Sequence, residues 1–496
     1  MKKFPIIYFL LIAAVSFSSC KKFLDLPPRN QRAVESLDDV KSVLAGYLDG
    51  VGTKNIRPIV GAFPLFTSTQ IMMFESYSDN IDFKTGLPIF VHRMNNTNKE
   101  IFYANNLLWN EYDAPKAIWT KYYETIGFLN ALIETTEKLN PVDLAEKDRV
   151  IGEMLVHRAF YFFKLNQYFA PYKEADMGIP VYLLTGDQVV GIKMSRKKQS
   201  DVYKVITDDL SKALAMAGKS TPRKGFNIFY NERYIQNLMA QVYWFKAESG
   251  AKEASDYEEA QKYSLAAVSG VEAYMPKTVA DLNAKAQGLL LNYPAFFQSG
   301  NSQGEVSGMY GSTWDYLGYY PQKVPLADDF FQLFSDNDIR KATYFIGNTI
   351  NSTWPDGKAN GSKNAHYTLF QPEVAYLILA ESYYRLNKTA DAVTTLNTFK
   401  SYRNAGTATG LSGDQLLQEI INERRKEFFT DTDKRWLDLK RYGTKTISRS
   451  LRFFDKDYTI EVKPNAYQYA LPIPITELQQ NPDLIQNAGW VPMVFN

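Results

Sequence analysis

Cysteine is almost absent: Cys20 is the single example in 496 residues. No intrachain disulfide and no cysteine-ligated zinc can form, so stability must come from burial, for which the chain is ample. Histidine is nearly as scarce. His92, His157 and His366 lie far apart in sequence and are poor material for a metal centre or for acid–base chemistry. An excess charge of one sign is missing too, since 56 Lys and Arg stand against 54 Asp and Glu. Such a balance offers no field to attract nucleic acid and none to hold cations broadly. The chain has no glycine-rich phosphate loop, no nucleophile elbow and no carboxylates paired for glycoside hydrolysis. The run Asp336-Asn337-Asp338 lacks the glycine and distal glutamate of a calcium loop. These absences point to a protein that is not an enzyme and needs neither cofactor nor metal.

Aromatic residues are what the chain has in abundance, with 33 Tyr, 31 Phe and 7 Trp. Part of that content must build core. The rest, on a neutral surface, suits stacking against flat, uncharged, hydroxylated ligands.

The N-terminus carries Lys2 and Lys3, then an apolar stretch from Ile6 to Val15 broken by Tyr8, then small residues around Phe17. A membrane span needs about 20 apolar residues, so this reads as a secretory signal of residues 1–19. Phe17-Ser18-Ser19-Cys20 resembles a bacterial lipobox, with Phe17 where leucine is usual, which implies cleavage before Cys20 and acylation of its thiol. Loss of Lys2 and Lys3 would take the 56 basic residues to 54, equal to the acidic ones. Acyl chains on one residue anchor a protein to a membrane without spanning it, and no later segment approaches spanning length. Residues 20–35, with Pro27-Pro28, read as the lipidated tether.

Helical periodicity begins near Ser36 or Asp38, either of which suits an N-cap, and runs through Leu48. It dominates again from Ala114, over roughly 115–139, 143–170, 200–217, 231–249, 256–269, 371–387, 389–403 and 414–429. Residues 54–112 and 271–370 lack it. Within 374–404 the spacing of Tyr376, Leu379, Ala380, Tyr383, Ala392, Leu396 and Phe399 matches a tetratricopeptide unit. Small Ala380 and Ala392 would let antiparallel helices approach, with a turn at Asn387-Lys388. Met239, Ala240 and Tyr243 with Ala260, Ser264 and Ala267 fit the same template, and Leu155 to Phe162 with Ile206, Leu210 and Ala213 fit it more loosely. The expected fold is therefore mainly α, with tetratricopeptide-like pairs forming a superhelical body and a loop-rich ligand-binding portion inserted.

Five blocks carry a resemblance across nearly the whole chain: Cys20-Lys-Lys-Phe-Leu-Asp-Leu-Pro-Pro28; Trp119 to Asn130; His157 to Phe169 with Gly178-Ile-Pro-Val-Tyr182; Ile421-Asn-Glu-Arg-Arg-Lys-Glu-Phe-Phe429 leading into Arg435-Trp-Leu-Asp-Leu-Lys-Arg441; and Leu471 to Leu478 with Asn481 to Gly489. Together they resemble the SusD/RagB family of Bacteroidetes surface lipoproteins. The resemblance implies an outer-membrane lipoprotein, facing the cell exterior, that binds oligosaccharide and delivers it to a TonB-dependent transporter of the SusC type. Some relatives handle peptides. The implied divisions are an N-terminal helical region (36–270), a variable ligand-binding region (271–370) and a C-terminal helical region with a surface strap (371–496). Lys21 and Lys22 leave the sorting signal, and so the surface orientation, open.

Arg424, Arg425, Arg435 and Asp438 invite a binding role, but Glu419, Glu423 and Glu427 lie one helical turn from basic partners, and Trp436, with Leu437 and Leu439, reads as core. The block reads as structure, with pairing inside its own helix. Pro472 and Pro474 read as a rigid strap over the surface. The stretch 310–320 reads differently: Gly311 and Gly318 bend the chain, and Trp314, Asp315, Tyr316 and Tyr319 fall within it without helical or strand period. Rings there can stack on sugar faces while Asp315, Asn301 and Gln303 fix hydroxyls. A second candidate is Tyr77 with Asp79 and Asn80, near which Trp109 and Arg93 are expected; ordinary turn chemistry also accounts for that loop. Phe296, Phe297 and Trp354 are further aromatic candidates. A hydrolase and a helical scaffold that binds only protein are the rival classes, separated from ligand capture by turnover and by glycan affinity respectively.

Overall fold

In the computed structural model, the residues described are 34–52, 74, 78–80, 113–185, 188, 191–217, 232–286, 296–302, 326–350, 365–429, 431, 433–453 and 456–490. The fold is mainly helical, as the periodicity requires. α1 (Leu37–Gly52) opens with a reciprocal cap: the Asp39 amide donates to Ser36 Oγ at 3.1 Å and the Ser36 amide to Asp39 Oδ2 at 3.1 Å. α2 (Asp113–Lys138) and α3 (Leu144–Phe169) follow, the latter capped by Asp143, whose Oδ1 accepts from the Glu146 amide at 2.9 Å. α4 (Gln199–Ala217), α5 (Glu232–Lys246) and α6 (Asp256–Val268) continue the series.

Each of these helices from α2 to α6 packs on the next, and α6 then packs against α10 (Pro372–Arg385), which pairs with α11 (Thr389–Ser401). The segment between α6 and α10 is thus an insertion into a continuous helical array. Tyr376, Leu379, Ala380, Ala392, Leu396 and Phe399 are all buried, as are Met239, Ala240, Ala260, Ser264, Ala267, Ile206, Leu210 and Ala213. The tetratricopeptide spacing is therefore real packing. The α10–α11 turn uses Asn387 at φ +60°, a conformation that asparagine tolerates better than most side chains.

The insertion carries α7 (Val279–Ala286), β1 (Phe296–Ser302), α8 (Asp328–Phe331), α9 (Ile339–Tyr344), β2 (Phe345–Ile346), β3 (Thr349–Ile350) and β4 (Ala365–Phe370), where the sequence gives only irregular chain. β1 pairs antiparallel with β4, so the insertion is rooted on a short sheet beside α10. Past α12 (Gly413–Glu427) come α13 (Lys434–Tyr442), a hairpin of β5 (Ile447–Phe453) and β6 (Lys456–Val462), and α14 (Ile475–Gln480). Among the described residues no helix is long and apolar enough to cross a membrane.

The family-like blocks prove to be the joints of this body. Trp119 meets Phe169 edge to face at 5.0 Å, the Tyr123 hydroxyl donates to Pro180 O at 2.8 Å, and Asn130 Nδ2 donates to Tyr182 O at 2.9 Å. Trp436 is fully buried against Phe74, as expected of core. The charged block is structural too, but most of its partners belong to other elements, which corrects the expectation of pairing within one helix. Arg340 on α9 grips Asp338 and reaches Glu423 at 2.5 Å and Glu427 at 3.0 Å. Arg403, after α11, binds Glu427 at 2.7 Å and Glu373 at 2.9 Å, and Glu419 pairs with Lys400; only Lys426–Glu423, at 2.6 Å, lies within α12. All of these groups except Glu419 are buried, and a desolvated charge needs several partners to be tolerated; one turn of one helix supplies too few. Asp336 and Asp338 are likewise spent on Lys341 and Arg340.

The C-terminal strap also differs from expectation, because it is wedged in rather than laid over the surface. Leu471 and Ile473 are fully buried, the Leu471 amide donates to Tyr168 O at 2.8 Å, and Asn487 Nδ2 donates to Phe169 O at 2.8 Å. Pro472 and Pro474 are buried beside them, so the whole stretch 471–474 is sunk into the body.

Candidate functional site

The 78–80 segment is held to residue 327, seven positions past the stretch 310–320. The Ala327 amide donates to Asn80 O at 2.9 Å, joining the end of the 78–80 segment to the point where the chain returns from the aromatic stretch 310–320. The neighbouring Leu326 amide donates to Asn348 O at 2.9 Å, ahead of β3. The other end of that stretch leaves from Ser302 at the end of β1. Cys20, Tyr77, Trp314, Asp315, Tyr316 and Tyr319 lie outside the described residues, as do Trp109, Arg93 and Trp354.

Asp79 and Asn80 are buried rather than presented to solvent. Arg435 on α13 binds both Asp79 oxygens, Nε to Oδ1 at 2.6 Å and Nη2 to Oδ2 at 2.9 Å. Arg425 on α12 donates from Nη2 to Asp79 O at 2.6 Å and from Nε to Asn80 Oδ1 at 3.0 Å. Lys445 adds a third cation, 2.5 Å from Asp79 Oδ2. Burial alone would raise the Asp79 carboxyl, but Arg435, Arg425 and Lys445 outweigh it and hold the group well below the usual carboxylate range. Arg425 also stacks over the Phe330 ring at 4.8 Å.

The rim of this cluster is wet. Asp329, at the start of α8, takes Arg425 Nη1 at 3.1 Å and Lys445 Nζ at 2.8 Å, yet its side chain is 56% exposed and that of Lys445 40%. Asp79 therefore serves as an anion that clamps the 78–80 segment onto α12 and α13, while Asp329 and Lys445 form the exposed edge of the cluster. Sequence offers no signal for this pairing: Asp79 and Arg435 are 356 positions apart, and each reads locally as turn or helix surface.

Among the described residues there is no group of three or more His, Cys, Asp and Glu able to hold a metal. His157 is fully buried on α3, and burial takes its imidazole down to about 3, so it sits neutral in the core.

Comparison with known proteins decides what this architecture is. Residues 222–490, more than half of the chain, match the model of the SusD family. The chain belongs to the SusD family. Residues 22–223 match a second SusD-like model, described as starch-binding and associating with the outer membrane. Solved SusD-type structures agree over their full length. A SusD-like carbohydrate binding protein from Bacteroides vulgatus is 18% identical, with 90% of this chain and 97% of that one aligned at a TM-score of 0.66. A SusD superfamily protein from Bacteroides fragilis is 20% identical, with 91% and 100% covered at 0.66. Another from Bacteroides thetaiotaomicron is 19% identical, with 91% and 99% covered at 0.64. At such identities the likeness is one of fold. No curated protein matches the chain.

Proposed function

We propose that this SusD-family chain is an outer-membrane lipoprotein, anchored through acylated Cys20 and facing the cell exterior, that binds oligosaccharide and passes it to a TonB-dependent transporter of the SusC type. One observation carries the reading: the two SusD-type models match from residue 22 to residue 490 between them, and the N-terminal one is described as starch-binding and associated with the outer membrane. Binding is non-covalent, and the protein performs no chemistry on its ligand. Trp314, Tyr316 and Tyr319 would stack on sugar faces, with Asp315 and Tyr77 nearby to orient hydroxyls. The bond from the Ala327 amide to Asn80 O supports this assignment, because it brings the end of the 78–80 segment beside a residue only a few positions past the aromatic stretch.

The test is affinity electrophoresis of the chain against a panel of polysaccharides. Retardation by one polymer class is expected, and replacing Trp314 and Tyr316 together with alanine should weaken it at least tenfold while circular dichroism stays unchanged. Intact affinity in the folded double variant would remove the aromatic loop from the site; turnover of an added oligosaccharide would replace the reading with a hydrolase.

A further inference from the structure

Away from the Asp79 cluster, a cleft of about 160 Å³ opens between the end of α3, α13 and the C-terminal strap. Its walls include Tyr172, Lys173, Lys440, Asn465, Tyr467 and Ala488. Tyr467 is the conspicuous wall: the side chain belongs to a large aromatic residue, yet it is 38% exposed. The ring is also held in place. It meets Trp490 edge to face at 5.1 Å, and it lies so close over Gly489 (φ +91°) that a Cβ there would come within 2.4 Å of it. No side chain but hydrogen fits beneath, so the glycine is required by the ring. A rim residue, Asn465, is fixed in a similar way. It adopts φ +58°, and its side chain folds over Gly443, where a Cβ would stand 2.6 Å from Asn465 Oδ1.

The polar groups of the cleft carry little net charge. Lys173 and Glu174 oppose one another at the exposed rim. Lys440 is almost fully buried, with Nζ donating to Gln167 O at 2.6 Å and Ala170 O at 2.8 Å. Burial, reinforced by nearby Arg196, pushes its amine well below the usual lysine range and favours the neutral form. The Lys173 ammonium is already spent, donating to Glu248 O at 2.6 Å and lying over the Tyr172 ring at 4.9 Å, so an anion would find no surplus cation here, while a purely apolar ligand would strand the amide of Asn465. A preorganised, half-exposed ring beside neutral donors and acceptors instead fits a small, uncharged, hydroxylated ring.

We propose that this cleft is a second carbohydrate subsite, which receives a single pyranose unit against the face of Tyr467. The choice of sugar among neutral hydroxylated ligands rests on the function proposed above; the shape and polarity of the cleft do not.

Saturation-transfer NMR on the full chain, held in a non-glycosidic detergent, tests it with free glucose, galactose, mannose and N-acetylglucosamine as probes. At least one sugar should receive transfer in the parent chain and in a Trp314→Ala, Tyr316→Ala background that removes the loop's own signal; the Tyr467→Phe, Tyr467→Ala and Ala488→Trp changes are read in that background, where Tyr467→Phe should keep the transfer. The transfer should fall at least fivefold in Tyr467→Ala. Ala488→Trp, which fills the cleft from its exposed rim, should abolish it as well and serves in place of Tyr467→Ala if that variant does not fold. Transfer that persists in the folded Tyr467→Ala or Ala488→Trp protein would overturn the subsite, and so would transfer to none of the four sugars. Polysaccharide retardation of the same samples separates the two claims. Retention of polymer binding without any monosaccharide signal sinks the subsite alone. Monosaccharide transfer that depends on Tyr467, in a chain that no polymer retards, sinks the delivery function and keeps the cleft as a sugar site.

Discussion

Two buried carboxylates show how partners, rather than burial, decide a charge. Asp79 has three cations on it and stays ionised. Glu153, equally buried on α3, has among the described residues only Arg149 as a cation, with Nη1 at 3.4 Å, because Arg149 is already committed to both oxygens of Glu146 at 2.8 and 3.0 Å. Burial therefore wins, with Arg149 opposing it, and lifts Glu153 from 4.5 to about 7. Between those values the native state holds a proton that the unfolded chain has released, so stability falls as pH rises from 4.5 to 7. A gap of that size corresponds to about 3 kcal/mol. Glu153→Gln cannot ionise and should escape this loss. Urea denaturation in steps across that range should find the variant gaining on the parent by up to about 3 kcal/mol, with a constant difference at lower pH. Parallel stability curves would show that Glu153 is ionised in the native state.

At the scale of elements, the helix pairs were legible because their signal is local. The expected 389–403 and observed Thr389–Ser401 differ only at the frayed end, and Ala380, Ala392 and Leu396 are buried as the repeat demands. Leu396→Ala should accordingly cost about 2–5 kcal/mol, the usual penalty for emptying a packed core position. Chemical denaturation measures it, and a loss under about 1 kcal/mol would mean that α10 and α11 close over the gap. What stayed illegible depends on distant chain. α7 lies in a stretch whose Gly, Asn and Pro content masks one short period, and the β5–β6 hairpin follows a helix so charged that its strands draw no attention. The partners of Glu423 and Glu427 sit on α9 and after α11, positions that only the folded chain brings together. The aromatic stretch and the 77–80 segment were legible as separate candidates; the bond from Ala327 to Asn80 and the Tyr467 cleft were not, since they depend on contacts spanning hundreds of residues or on the exposure of one ring.

For the whole molecule, the helical array, the insertion and the tether set different demands. The array runs unbroken from α6 to α10 across the insertion, so the inserted chain is carried without dividing the core. The body offers no spanning helix among the described residues, and the proposed attachment to the membrane rests on Cys20 alone. Cys20→Ala should shift the chain from the membrane pellet to the soluble fraction and abolish incorporation of labelled palmitate, while polysaccharide retardation of the purified protein stays within twofold of the parent. Continued sedimentation with membranes would locate the attachment elsewhere, either in an uncleaved leader or in tight association with a partner.

The hydrogen bond from Ala327 to Asn80 has a consequence for how such a protein can change over generations. It is written in main chain, so it does not depend on which side chains the two residues carry. Side chains at either residue, proline at 327 excepted, can therefore be exchanged over generations while the joint and the helical chassis behind it go on fitting without revision.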